Sequence, residues 1–266
     1  MGQILVDAFI KSAALLPSDI VISNRTRQKA ERLAQHYPGM RVAIDNVDLV
    51  KDCDVFFICV KPLEYGHVLD QIRDATRPEQ LVISITSPVM LRDIEARIPA
   101  KVAKIVPSIT NLALCGASLF MYGSRLNLED RQRLHRLFQQ ISRPVEVQEA
   151  HVRVSSDLAS CAPAFLSFLM ERLVNAAVEV TNIPRKTAES LVSEMIVGVG
   201  QLLTEAGFTL DTLQERVAVP GGVTRDGLDL LDREIGTAFN DLLQLTQQKH
   251  EKDLLHVAHM FADDCP

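Results

Sequence analysis

The sequence predicts an α/β chain, a doubly wound parallel sheet over residues 1–150 followed by an all-α region over residues 151–266. Three observations carry this. Short β-type runs alternate with helical stretches through the first part. Val55–Val60 (VFFICV) is apolar without a break, as a parallel strand covered on both faces should be. Past Ala150 no strand pattern remains, only long helical runs.

Taken in order, Ile20–Ser23 reads as a strand, and Thr26 caps a helix running to about Tyr37. Arg41–Ala43 is a short strand, followed by a brief helix near Val47–Lys51 and the Val55–Val60 strand. A helix from Leu63 to Asp74 leads to the strand Leu81–Ile85, and a helix after Pro88 leads to Val102–Val106. Ala117–Tyr122, a helix over Leu128–Gln140 and Val145–Val147 complete the sheet. In the second part Pro163–Val180 is apolar almost all round, and Pro163 suits a first helical turn. Pro184 opens a second helix to about Ala206; two more span Asp226–Arg233 and Ile235–Met260. Two long helices this apolar require partner surface, so the helical region is expected to dimerise.

The alternation is Rossmann-like, but its opening is unusual. Dinucleotide folds begin with a strand, a glycine turn and then a helix whose N-terminus meets the pyrophosphate. Here Met1-Gly2 leads directly into an amphipathic helix (Ile4, Leu5, Ala8, Phe9, Leu15). Gly2 is therefore expected to be the last glycine of such a loop, with the first strand missing. The alternative is a chain that simply begins with a helix.

Composition narrows the function classes. A net charge of −6 with no local Lys/Arg cluster argues against nucleic-acid binding. No apolar run approaches the roughly 18–20 residues of a membrane span, and no signal-peptide pattern opens the chain. Five scattered cysteines (Cys53, Cys59, Cys115, Cys161, Cys265) read as reduced, buried small hydrophobes, and the expected compartment is the cytoplasm. His256 and His259 lie one turn apart near Asp253 without a third ligand, so no metal is expected.

Chemistry concentrates in a few loops. Ser23-Asn24-Arg25-Thr26 follows a strand end where dinucleotide folds meet the adenosine ribose; a basic residue there suits the 2′-phosphate of NADP. A solvated arginine at a helix start is the plain alternative. Val60-Lys61-Pro62 follows the most apolar strand at its carboxyl end, where open α/β sheets place ligands. Pro107–Asn111 (PSITN) offers hydroxyl and amide groups toward the same crevice. Val217–Gly227 (VAVPGGVTRDG) is the most specific local feature. Gly221 and Gly222 free the backbone to turn N–H groups toward a small carboxylate, with the Thr224 hydroxyl beside them. A tight turn between helices is the alternative.

SNRT, FFICVKP, LVISIT, KIVPS, LASCAPAFLSFLMERLVNAAVE, IVGVGQLL and VPGGVTRDGL, in this order and spacing, resemble the pyrroline-5-carboxylate reductase family along nearly the whole chain. The resemblance implies an NADP(H)-binding domain, with NAD as the alternative cofactor, and a helical domain interleaved in a homodimer. It implies hydride transfer to C5 of a small cyclic imine, giving proline. Ser23, Asn24, Arg25, Thr26, Val60, Lys61, Pro62 and Gly2 would line the cofactor. Gly221, Gly222 and Thr224 would bind substrate, with Thr224 donating to the ring nitrogen. Thr86-Ser87-Pro88, Pro107–Asn111 and Ala159–Phe165 depart from the family's pocket-lining pattern. These departures resemble the late-competence ComER-type branch, which implies a weakly catalytic or regulatory paralogue as the second reading. A 3-hydroxyacid dehydrogenase would need a lysine in Pro163–Val180, which has Asn175 and none.

Overall fold

The computed structural model describes residues 1–263 and forms two compact units, Met1–Pro163 with the tail from Leu245, and Ala164–Gln244. The first unit runs α1 (Gly2–Lys11), β1 (Val21–Ile22), α2 (Arg27–His36), β2 (Arg41–Val42), α3 (Asn46–Asp52), β3 (Val55–Ile58) and α4 (Tyr65–Ile72). It continues with β4 (Leu81–Ser84), α5 (Leu91–Glu95), β5 (Lys101–Val106), β6 (Ala117–Tyr122), α6 (Leu128–Phe138) and β7 (Arg143–Glu146). α7 (Val152–Ser156) and a π-helical turn, Asp157–Cys161, lead into α8 (Ala162–Thr181). α9 (Arg185–Thr204), α10 (Leu210–Val217), α11 (Val223–Ile235) and α12 (Ala238–Asp263) follow.

β1 and β2 pair in parallel as a two-stranded sheet, while β3-β4-β5-β6-β7 form a second sheet in that order. Among the described residues, neither β1 nor β3 pairs with a strand on its other side. The expectation of a wholly parallel sheet needs one correction, because β6 runs antiparallel to β5. The cause is the link: residues 107–116 hold only a 3₁₀ turn at Ile109–Ala113, and a parallel return needs a crossover of about a dozen residues or more.

The large sheet carries a core on each face. α1 packs Leu5, Ala8 and Phe9 with Leu81, Ile83, Ile105, Phe120 and Phe138. Phe9 meets Phe138 edge-on at 5.4 Å. The other face gathers Phe56, Tyr65, Leu69, Val82, Ile94 and Val102, and Val257 of α12 joins it. The end of α12 thus belongs to the sheet unit.

Two further expectations are corrected. Cys59 and Cys115 are exposed and Cys53 and Cys161 half-buried, all four free; Cys265 lies outside the described residues. Strand ends and turns, where Cys59 and Cys115 sit, leave one side open even when the flanking sequence is apolar. Secondly, the helical stretch Glu149–Thr181 is long and apolar enough to cross a membrane by length and composition. The strongly apolar run was legible, but the turns before Pro163 that lengthen it were not. In the second unit Phe168, Leu173, Leu191 and Val197 are more than half exposed.

Candidate functional site

In the first unit, the turn after β1 is built from its own polar side chains. Asn24 Oδ1 accepts the Thr26 N–H at 2.9 Å, and the Ser23 hydroxyl donates to Asn46 Oδ1 at 2.9 Å. Thr26 is the N-cap of α2 by position, with extended backbone and no cap bond from its hydroxyl. That turn leaves Arg25 85% exposed, and its Nη1 reaches both oxygens of Glu64 at 3.1 and 3.2 Å. Glu64 closes the 3₁₀ turn Pro62–Glu64 that follows Val60-Lys61, so the structure brings the two predicted cofactor loops together. Sequence reasoning missed Glu64, which reads as an ordinary acidic residue at a helix start.

Tyr65 was also missed. Its hydroxyl donates to Ile58 O and shares a hydrogen bond with Ser84 Oγ, each at 2.9 Å, in full burial. It pins the carboxyl ends of β3 and β4 beneath the Val60-Lys61-Pro62 loop, and burial pushes its phenol well above the ordinary range. A tyrosine opening an otherwise apolar helix face was the available signal, since a buried hydroxyl needs partners.

Gly2 opens α1 against the end of β3. A Cβ on Gly2 would stand 3.3 Å from Cys59 Cβ and 3.5 Å from its sulfur, so only glycine admits this approach without displacement. The Cys59 sulfur is desolvated there although the residue as a whole is exposed, and this pushes the thiol up to about 11. It is therefore protonated at neutral pH. α1 has no side-chain cap, which leaves first-turn amides unbonded beside Cys59, just past the carboxyl end of β3.

The loops after β4 and β5 differ from expectation. Ser108 and Asn111 are fully buried and spend their groups internally: Asn111 Oδ1 accepts the Ser108 N–H at 2.8 Å, and Ser108 Oγ donates to Ala159 O at 2.8 Å. The Ser160 hydroxyl donates to Pro107 O at 2.9 Å. Pro163 lacks the amide that would bond the carbonyl four residues back, and that carbonyl is Ala159 O. Ser108 supplies the missing donor. The polar groups of this loop therefore hold it on the π turn and leave only part of it for a ligand. Beside it the buried Lys104 ammonium donates to Ser87 O at 3.1 Å and Glu149 at 2.6 Å. Desolvation holds this lysine below its ordinary range, with Glu149 opposing.

In the second unit, Val219–Gly222 is a β-turn closed by Gly222 N–H to Val219 O at 3.0 Å. Gly221 has φ of +72°, the left-handed position that follows proline in a type II turn. A Cβ on Gly222 would come within 2.9 Å of Val219 Cγ2. The Gly222 amide is consequently committed to the turn, and the first amides of α11, at Val223 and Thr224, are among the groups able to meet an anion. Thr224 stands half-buried in that first turn. Arg225 folds back toward Ala218 O at 3.5 Å and adds a positive charge to the loop. Among the described residues no cluster of His, Cys, Asp and Glu could hold a metal ion.

Fold and loops together define a Rossmann-type oxidoreductase architecture with an appended helical unit. Residues 149–253 match the family model described as pyrroline-5-carboxylate reductase dimerisation, and residues 1–88 match that of NADP oxidoreductase, coenzyme F420-dependent. The chain is 39% identical over 261 residues to ComE operon protein 4 of Bacillus subtilis, covering 98% of this chain and 96% of the relative. It is 27% identical to pyrroline-5-carboxylate reductase 3 of the same organism, over 94% and 92%. A Plasmodium falciparum pyrroline carboxylate reductase with NADP bound superposes with a TM-score of 0.80 at 19% identity, over 98% and 94%. The chain belongs to the pyrroline-5-carboxylate reductase family.

Proposed function

We propose that the protein is an NADPH-dependent reductase of a small cyclic imine, converting pyrroline-5-carboxylate to proline as a cytoplasmic homodimer. The observation that carries this reading is that Gly2 lies against Cys59 and Arg25 pairs with Glu64, the residues on either side of the Val60-Lys61-Pro62 loop. The Gly2 approach sets the uncapped start of α1 where a pyrophosphate would be held. Arg25 offers a guanidinium suited to a 2′-phosphate, and Ser23, Asn24 and Thr26 shape its turn. These residues fit a nicotinamide dinucleotide, which when bound supplies the hydride for C5 of the imine.

On the protein's side, the first amides of α11, with Gly221 and Gly222 shaping the turn before them, hold the substrate carboxylate. The Thr224 hydroxyl donates to the ring nitrogen, where electron density rises as C5 is reduced and a proton is taken up. Exposed Phe168, Leu173 and Val197, on the segment matching the dimerisation model, support burial against a second copy.

The test is NADPH oxidation on addition of pyrroline-5-carboxylate, with proline identified as product. A second reading, a weakly catalytic paralogue with a regulatory role in competence, is favoured by one observation. Ser108, Asn111 and Ser160 are consumed in holding their loops and are not left to bind substrate. Tight NADPH binding without turnover would select it.

A further inference from the structure

We propose that Glu64 is a specificity-determining residue that occupies the 2′-phosphate position on Arg25 and so moderates the preference for NADP(H) over NAD(H). The inference rests on the reading of the first unit as a dinucleotide site. Arg25 Nη1 lies 3.1 and 3.2 Å from the two Glu64 oxygens, so one anionic group spans one guanidinium nitrogen as a phosphate would.

Glu64 is the N-cap of α4 yet makes no capping bond with its side chain. Its carboxylate instead extends from the β3–α4 loop to the β1–α2 turn, 39 residues away in sequence. A 2′-phosphate and the Glu64 carboxylate are both anions competing for one cation, so phosphate binding requires Glu64 to withdraw. The start of α4 gives it a favourable place to go, because its amides attract negative charge. A bare ribose 2′-hydroxyl meets no such competition, and an acidic group beside it is the arrangement by which dinucleotide folds accept NAD. Arg25 and Glu64 thus present both chemistries at one position, and the strength of their pairing sets the balance.

The pair is exposed, at 85% and 41%, so its strength is that of a surface ion pair. The consequence is a modest, salt-sensitive shift. The test is calorimetric titration of the full chain with adenosine 2′,5′-bisphosphate and with 5′-AMP at low salt, which reads binding and needs no turnover. Glu64→Gln keeps size and hydrogen bonding and removes the charge. It should raise the ratio of the two affinities, bisphosphate over AMP, on the order of threefold. The gain should shrink at high salt. An unchanged or lowered ratio, with both ligands bound, would overturn the role of Glu64 alone. If neither nucleotide binds the parent or the variant, the dinucleotide reading fails and this inference with it.

Discussion

The Thr246 hydroxyl donates to Asp157 Oδ2 at 2.7 Å, joining two segments 89 residues apart. Asp157 is 2% exposed and also receives Arg153, at 2.7 and 3.2 Å, within the π turn that precedes α8. Thr246 stands at the start of the α12 tail that returns to the sheet unit. Further along that tail Arg97 donates to Phe261 O at 3.0 Å and lies over its ring. The chain's exit from the sheet unit and its return are therefore tied at one buried carboxylate.

Replacing Asp157 by Ala removes the partner of a largely buried guanidinium. The expected loss is about 3–5 kcal/mol, as for breaking one side of a buried pair. Urea unfolding of the variant should show it; a loss under about 1 kcal/mol would show that the tie contributes little.

His250 lies 6% exposed in the same region, facing Lys104 and Arg153 as cations and Asp157 and Asp253 as anions. Desolvation, with Arg153 and Lys104 adding, holds it below its ordinary 6.5. Below that pH the unfolded chain takes up a proton the folded chain resists, so stability should fall as pH drops from 6.5 toward the lowered folded value. The slope can reach about 1.4 kcal/mol per pH unit for one group. His250→Gln should remove this component from the difference between urea midpoints at pH 7.5 and 5.5.

Ser108→Ala should destabilise by about 1–3 kcal/mol, because Ala159 O then loses the donor that stands in for the amide Pro163 lacks. A double variant in which Pro163 is also Ala should recover part of this loss, since a backbone N–H returns at that position. No recovery would separate the two effects.

Thr224→Val keeps shape and removes the hydroxyl assigned to the ring nitrogen. The expected loss falls on kcat, on the order of 10²-fold, with NADPH binding retained. Activity within twofold of the parent would remove Thr224 from the mechanism.

The elements were legible where periodicity is strong: a strand within VFFICV, observed over Val55–Ile58, Leu128–Phe138 as an amphipathic helix, Arg185–Thr204 behind Pro184. The direction of β6 was not, because an apolar run is the same read either way; only the short link before it carried a signal. α7, the π turn and α10 were missed because each spans eight residues or fewer, too short for the spacing of Leu210, Leu213 and Val217 to stand out as a period. At the candidate site, local turns such as Ser23–Thr26 and Pro220-Gly221-Gly222 could be read directly as turns. Pairings across the fold, Arg25 with Glu64 or Lys104 with Glu149, could not, because one sequence records residue types and not which distant partners meet.

The proposed reaction passes a hydride from NADPH to C5 of the imine. Reaction with NADPH carrying deuterium at the transferred C4 position tests it most directly, with proline analysed by mass spectrometry and NMR. The expected product is proline bearing one deuterium at C5. Bound NADPH with no deuterated proline formed would contradict it.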